Sequence, residues 1–382
     1  MNISKGTLID WGQQAFLLIV VSSLFLYFGT NMSENIDSLG ITTGFGFLDD
    51  RAGYDITFSL IDYDQNDTYL RAYWVGVVNT LLVSFMSIIL ATFIGFTVGV
   101  GRVSKNWVVN KLSRSYVELI RNVPLVIQLV WWYALFLSLP SVKNSIALAD
   151  NIYLSNRGLV VPHISLGGWG EYFILSIITS IFLAIIYRHN IHKRSKWRGF
   201  NPILWPKLIV IVASLPTLLA IIALSTNHIS VSYPELAGFN FQGGIIVIPE
   251  LVALCIALSV YSASYIAEIV RGCIQSVSSG QDEAGKALGF TESNVMWQLI
   301  VPQAVYPMVP QITSVYLNII KNSSLGVVIG FMELVSSTGG TTLNNTGQAI
   351  ECILIVMGTY CIFSLITSVL MNWYNSHIKI GK

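Results

Sequence analysis

Eight stretches of this 382-residue chain are apolar over roughly the 17–25 residues that a helix needs to cross a bilayer. They cover about 13–30, 75–100, 122–140, 170–187, 207–226, 246–270, 303–329 and 347–371. Composition agrees, with 53% apolar and only 11% charged residues. A soluble domain carries about 25% charge, so a water-facing surface cannot be built from this stock without large apolar patches. The expected fold class is all-α, a polytopic membrane helix bundle of about eight transmembrane helices. The first run continues to Phe28 and meets Gly29-Thr30-Asn31 without a small-x-small pattern, so we read it as a retained helix rather than a signal peptide. Net charge is +1, which argues against nucleic acid as a partner. The four cysteines (Cys255, Cys273, Cys352, Cys361) form no CxxC pair and suggest neither a disulfide framework nor a zinc site.

Loop charge sets the orientation, because Lys and Arg stay on the cytoplasmic side. Arg102, Lys105, Lys111, Arg114, Arg188, Lys193, Arg194, Lys196, Arg198, Lys207, Arg271 and Lys286 fall in one set of alternate loops. Lys5, Lys379 and Lys382 place both termini with that set. The opposite loops hold Arg51, Arg71, Lys143 and Arg157. The alternation supports an even number of spans with both termini in the cytoplasm. The first external loop, 31–74, is acidic. Its Asp62-x-Asp64-x-x-Asp67 lacks the Gly and closing Glu of an EF-hand, so we read it as a solvated acidic loop.

In the second run Thr80, Ser84, Ser87, Ala91, Gly95 and Gly99 recur every three or four residues. Such a small-residue face lets helix backbones approach closely in lipid, and intrachain packing is favoured over a pore lining. Asn79 and Thr80 sit near the outer mouth, where they either bond between helices or contact a substrate. Glu268 and Arg271 are one turn apart, the spacing of an intrahelical ion pair or of a gate charge.

The cytoplasmic segment 279–302 holds more than a connection. A short helix is expected from about Gln281 to Leu288, capped by Ser279 and stopped by Gly289. Thr291 then caps a second short helix that ends before Pro302. Leu288 and Phe290 stand apolar at the junction, as a docking element for another protein would.

Glu283-Ala284, Gly289 and Ile300-Val301-Pro302 resemble the EAA loop of permease subunits of ABC importers. Gly285 stands where that pattern prefers Ala. Tyr265-Ile-Ala-Glu-Ile-Val-Arg-Gly272, Lys321-Asn-Ser-Ser-Leu325, Gly76-Val-Val-Asn-Thr-Leu81 and Tyr116-Val-Glu-Leu-Ile-Arg-Asn-Val-Pro-Leu125 are similar to the polar amino-acid subfamily. The resemblance covers about 75–140 and 246–371, and the larger plan resembles general L-amino-acid permeases. It implies a type I importer permease core in two parts, 75–140 and 246–382. An N-terminal span with an acidic periplasmic loop, 1–74, precedes it. An insert with two extra spans, 141–245, interrupts it.

The resemblance also implies partners and location. They are ABC ATPase subunits, a second permease subunit (heterodimer or homodimer), a periplasmic amino-acid-binding protein and the lipid of a bacterial inner membrane. The coupling residues would be Glu283, Ala284, Gly285, Leu288, Gly289 and Phe290. The chain itself contains no GxxxxGK[ST] phosphate loop and no nucleophile–base constellation, so ATP and Mg would be bound by the ATPase and this chain would not be an enzyme. His189 and His192 read as part of a solvated basic loop rather than a metal pair. Lys321 lies at membrane depth, where an ammonium costs about 2.5–3.5 kcal/mol on insertion scales. With Asn322, Ser323 and Ser324 it is a candidate for meeting a substrate carboxylate. It could equally pair with a carboxylate of another span or snorkel. An ion-coupled secondary amino-acid transporter is the alternative, and it leaves the docking segment unexplained.

Overall fold

The computed structural model describes residues 5–39, 43–165, 204–225, 230–238 and 240–378, with scattered helical positions between 172 and 187. The helices are α1 (Lys5–Leu39), α2 (Tyr69–Gly101), α3 (Trp107–Arg121), α4 (Leu125–Leu137), α5 (Leu204–Ser225), α6 (Pro249–Gln275), α7 (Ser279–Ala287), α8 (Val301–Asn322) and α9 (Ala349–Ile378). Five helical stretches among the described residues are long and apolar enough to cross a membrane, in α1, α2, α6, the segment Glu292–Ile329 and α9. The pair α3 and α4, bent by 102°, makes a sixth if counted as one span. The expected count of eight is therefore not reached among the described residues. The expected span at 170–187 and the basic loop after it, with His189 and His192, lie largely outside them.

The expected span at 122–140 is realised as α4, whose 13 residues reach only about 20 Å. Pro124 disfavours helix at Val123 and breaks the rod there. The break exposes carbonyls at the end of α3, and Gln128 closes them. Its amide donates to Ile120 O at 2.8 Å and to Val123 O at 2.9 Å.

The packing core is the parallel pair α2 and α6. An ideal Cβ on Gly95 would stand 2.6 Å from Ile266 Cβ and 2.9 Å from Ala263 O. One on Gly99 would stand 2.6 Å from Val270 Cβ and 2.8 Å from Ala267 O. Ser84, Ser87 and Ala91 are buried on the same face. The small-residue stripe is thus intrachain packing: its glycines let two backbones meet at a distance no side chain would allow. By contrast, none of the apolar window of α1 is buried by the rest of the chain.

The segment 43–68 is more than a solvated loop. Phe47, Ala52 and Ile56 pack with Tyr69, Ala72, Val75 and Cys352. Tyr63 donates to Tyr54 O at 2.8 Å, and Glu351 accepts from Gly44 N at 2.7 Å. The acidic side chains Asp49, Asp50, Asp55, Asp62 and Asp64 point outward. Asp64 and Asp67 cap the turn they share, accepting from Asn66 N at 2.5 Å and Asp64 N at 2.8 Å. Burial pushes the Tyr63 hydroxyl far above its usual pKa.

The all-α expectation needs a local correction in the insert. Strands β1 (Ile146–Ala149), β2 (Ile152–Ser155) and β3 (Gly158–Val161) form an antiparallel ribbon. Strand β4 (His163–Ser165) pairs with β5 (Ser230–Ser232), and β6 (Glu235–Ala237) with β7 (Asn240–Gln242). Strand β8 (Ile245–Val247) completes a four-stranded sheet beside β3. The chain thus leaves the sheet after β3 and returns to it at β8. These strands of three or four residues are too short to give a strong periodic signal.

Candidate functional site

Two features occupy the end of the bundle opposite the strands. The first is the segment around α7. Ser278, not Ser279, caps this helix, its hydroxyl accepting from Gly280 N at 3.4 Å. Asp282 and Lys286 pair one turn apart, and that hydrogen bond holds the Lys286 ammonium above its ordinary pKa. Gly289 has φ +80°, the left-handed conformation that ends a helix without strain. Thr291 caps the next turn, accepting from Asn294 N at 3.3 Å.

The second short helix does not stop before Pro302. Glu292–Asn294 runs through a π-helical stretch, Val295–Ile300, into α8. Pro302 occupies the first turn of α8, where its missing N–H leaves no bond unmade after the widened turn. The segment that follows α7 is therefore continuous with a membrane rod. Gly285 explains its own departure from Ala: a Cβ there would stand 2.8 Å from both Val295 Cγ2 and Leu299 Cδ1. This contact presses α7 onto the rod. Leu288 is 78% exposed, Phe290 is exposed beside it, and Glu283 and Ala284 also face outward. Glu283 makes no hydrogen bond or ion pair among the described residues, and its charge lies near Lys286.

The second feature surrounds Glu268. It pairs with Arg271, as the spacing predicts, and also with Arg102 from the end of α2. Lys105 pairs with Glu292, joining the α2–α3 turn to the base of the rod. A cavity of about 260 Å³ opens beside Glu268, with Arg102, Glu118, Arg121, Asn122 and Tyr265 in its wall. The Arg121 guanidinium lies over the Tyr265 ring, 4.9 Å from its centroid. Sequence reasoning missed Arg102 and Arg121 as site residues. Both were visible as basic residues, one at the end of α2 and one in the last turn of α3, but their convergence on Glu268 and Tyr265 was not.

The other expected site residues do not gather there. Asn79 and Thr80 are fully buried. Asn79 donates to Phe58 O and Met332 O, each at 2.9 Å. Thr80 donates to Gly76 O at 2.9 Å and accepts from Leu334 N at 3.1 Å. Their amide and hydroxyl donors thus go to backbone, tying α2 to the segments on either side. Ser323 donates to Ile320 O and Ser324 to Lys321 O, both at 2.7 Å. Lys321 is exposed at the last turn of α8, Asn322 half-buried next to it. No carboxylate among the described residues pairs with Lys321.

Comparison with known proteins agrees with this architecture. Residues 202–380 match the family described as binding-protein-dependent transport system inner membrane component. The putative amino-acid ABC transporter permease protein YhdX of Escherichia coli is 42% identical over 100% of this chain and 96% of its own length. The general L-amino acid transport system permease protein AapQ of Rhizobium johnstonii is 40% identical over 96% of this chain and 91% of its own. The glutamate/glutamine/aspartate/asparagine transport system permease protein BztB of Rhodobacter capsulatus is 36% identical, with 95% and 92% covered. Matches of this extent span the inserted region as well as the core, and nothing among them supports the ion-coupled alternative. With its apolar helices and its similarity to these permeases along nearly its whole length, this chain belongs to the inner-membrane permease family of binding-protein-dependent ABC transport systems, among its amino-acid permeases.

Proposed function

We propose that this chain is a transmembrane subunit through which an ATP-driven importer moves L-amino acids across the bacterial inner membrane. A periplasmic binding protein delivers the substrate, and a second permease subunit completes the pathway as homodimer or heterodimer. Both termini lie in the cytoplasm. ATP and Mg are held by separate ATPase subunits, and the part of this chain is mechanical. The observation that carries the reading is the exposed α7–Gly289–Phe290 element pressed through Gly285 onto a continuous membrane rod. A push on Leu288 and Phe290 is transmitted to the rod because no flexible loop intervenes. The buried small-residue contact of α2 and α6 supplies a stiff body against which the rod can move. That is the physical requirement for alternating access. Lys321, with Asn322, is the candidate for the substrate carboxylate within the membrane, being a charge without an acidic partner among the described residues.

Co-purification tests the coupling role. The chain is expressed with its neighbouring genes' products, as wild type and with Glu283→Arg or Gly289→Asp. An ATPase should remain bound to the wild type and be lost from both variants. Binding that ignores both substitutions would show that coupling lies elsewhere.

A further inference from the structure

The cavity beside Glu268 has charges of both signs and one guanidinium without a counter-ion. Glu268 is already shared between Arg102 and Arg271. Glu118 is held by Arg114 at 2.7 Å. Arg121 has no carboxylate partner among the described residues. Its stacking on Tyr265 orients the guanidinium plane and leaves its edge donors unspent. A planar fork of donors at a cavity wall is built to receive a carboxylate, and none is supplied among the described residues. Four guanidiniums (Arg102, Arg114, Arg121, Arg271) face two carboxylates (Glu118, Glu268), so the surroundings carry surplus positive charge. The volume of about 260 Å³ lies just under the range of about 300–1,000 Å³ for drug-sized ligands, which suits a smaller molecule. A small zwitterion meets all of these conditions. Its carboxylate would lie against Arg121 and the Asn122 amide, and its ammonium against Glu118, which has one arginine partner where Glu268 has two.

We propose that this cavity is an amino-acid site at the coupling end of the permease, open to the cytoplasm. Arg121 binds the α-carboxylate, and the surplus positive charge favours ligands with a second carboxylate. The proposal rests on the reading of the chain as an amino-acid permease and adds to it a second binding site with a charge preference.

The test uses the complex of this chain with its ATPase and partner permease, purified without the binding protein. It is titrated with radiolabelled L-glutamate and L-glutamine, which are nearly isosteric and differ in charge, and with glutarate, which lacks the amine. Saturable binding is expected, tighter for glutamate than for glutamine. Arg121→Gln should weaken both by about 10- to 100-fold, as expected for losing hydrogen bonds to a charged group. Arg121→Lys should recover part of this, since the charge returns without the planar fork. Glu118→Gln should weaken glutamate more than glutarate. Unchanged affinity in Arg121→Gln, or no saturable binding by the wild type, would overturn the proposal. If Arg121→Gln fails to assemble, equal effects of Glu118→Gln on glutamate and glutarate overturn it instead. Binding-protein-dependent uptake into proteoliposomes is measured in parallel. Absence of ATP-driven amino-acid uptake brings down the transport reading, whereas uptake without binding at this cavity brings down only the site.

Discussion

Replacing Gly95 by Ala adds one carbon to a close backbone contact between α2 and α6. The new Cβ would stand 2.6 Å from Ile266 Cβ, 2.8 Å from Ile266 Cγ2 and 2.9 Å from Ala263 O. Carbon atoms rest at about 3.5–4.0 Å from one another, so α2 and α6 must part by about 1 Å at this level. Rotation of the Ile266 side chain gives no relief, because its Cβ and the Ala263 carbonyl are fixed to the backbone. Overpacking of this kind costs about 1–3 kcal/mol. The better helix propensity of Ala returns about 1 kcal/mol at most. Gly272 on α6 supplies the internal control, since nothing lies within 4 Å of a Cβ there. Gly95→Ala should therefore lower the thermal midpoint of the purified protein in detergent by a few degrees, while Gly272→Ala leaves it equal or higher. Gly99→Ala should behave as Gly95→Ala does, with Val270 and Ala267 as the obstructing residues. If Gly95→Ala and Gly272→Ala shift the midpoint alike, the close approach of α2 and α6 does not exist and the packing argument falls.

Further outcomes follow from single contacts. Gln128→Leu leaves Ile120 O and Val123 O without their side-chain donor. It should destabilise the α3–α4 bend by about 1–3 kcal/mol, read as a lower thermal midpoint with the α2–α6 contact intact. Asn79→Leu cuts the bonds to Phe58 O and Met332 O. Hydrogen exchange in 43–68 should then accelerate, and unchanged protection there would show that Asn79 does not anchor the segment. Lys321→Ala should abolish uptake while the complex still assembles, and undiminished uptake would remove Lys321 from the substrate pathway.

Local chemistry was legible wherever a few neighbouring residues decide the conformation. Gly289 and Thr291 do what their types favour, because a left-handed backbone and an N-cap need only adjacent atoms. The cap of α7 moved by one residue to Ser278, a shift within the usual uncertainty of helix ends. The rod through Pro302 was not legible. A proline after an apolar run signals a stop, and only the π-helical stretch before it removes the need for its N–H. The short strands of the insert escaped for a related reason: three or four residues carry too little pattern, and β3 finds its partner β8 only after the chain returns.

The sequence by itself determined that this chain lives in a membrane, because apolar surface on that scale cannot be hydrated. It also determined that Glu268 and Arg271 pair, since three residues on a helix bring them together. Only the tertiary structure decided that Arg102, 166 residues away, takes the other side of the same carboxylate. It alone brought Arg121 over Tyr265 and spent Asn79 on carbonyls 21 and 253 residues distant. Periodicity states which face of a helix is buried, but not which helix buries it. That choice depends on where glycines let two backbones meet and where Pro124 turns the chain, and from it follow the partners of every buried charge.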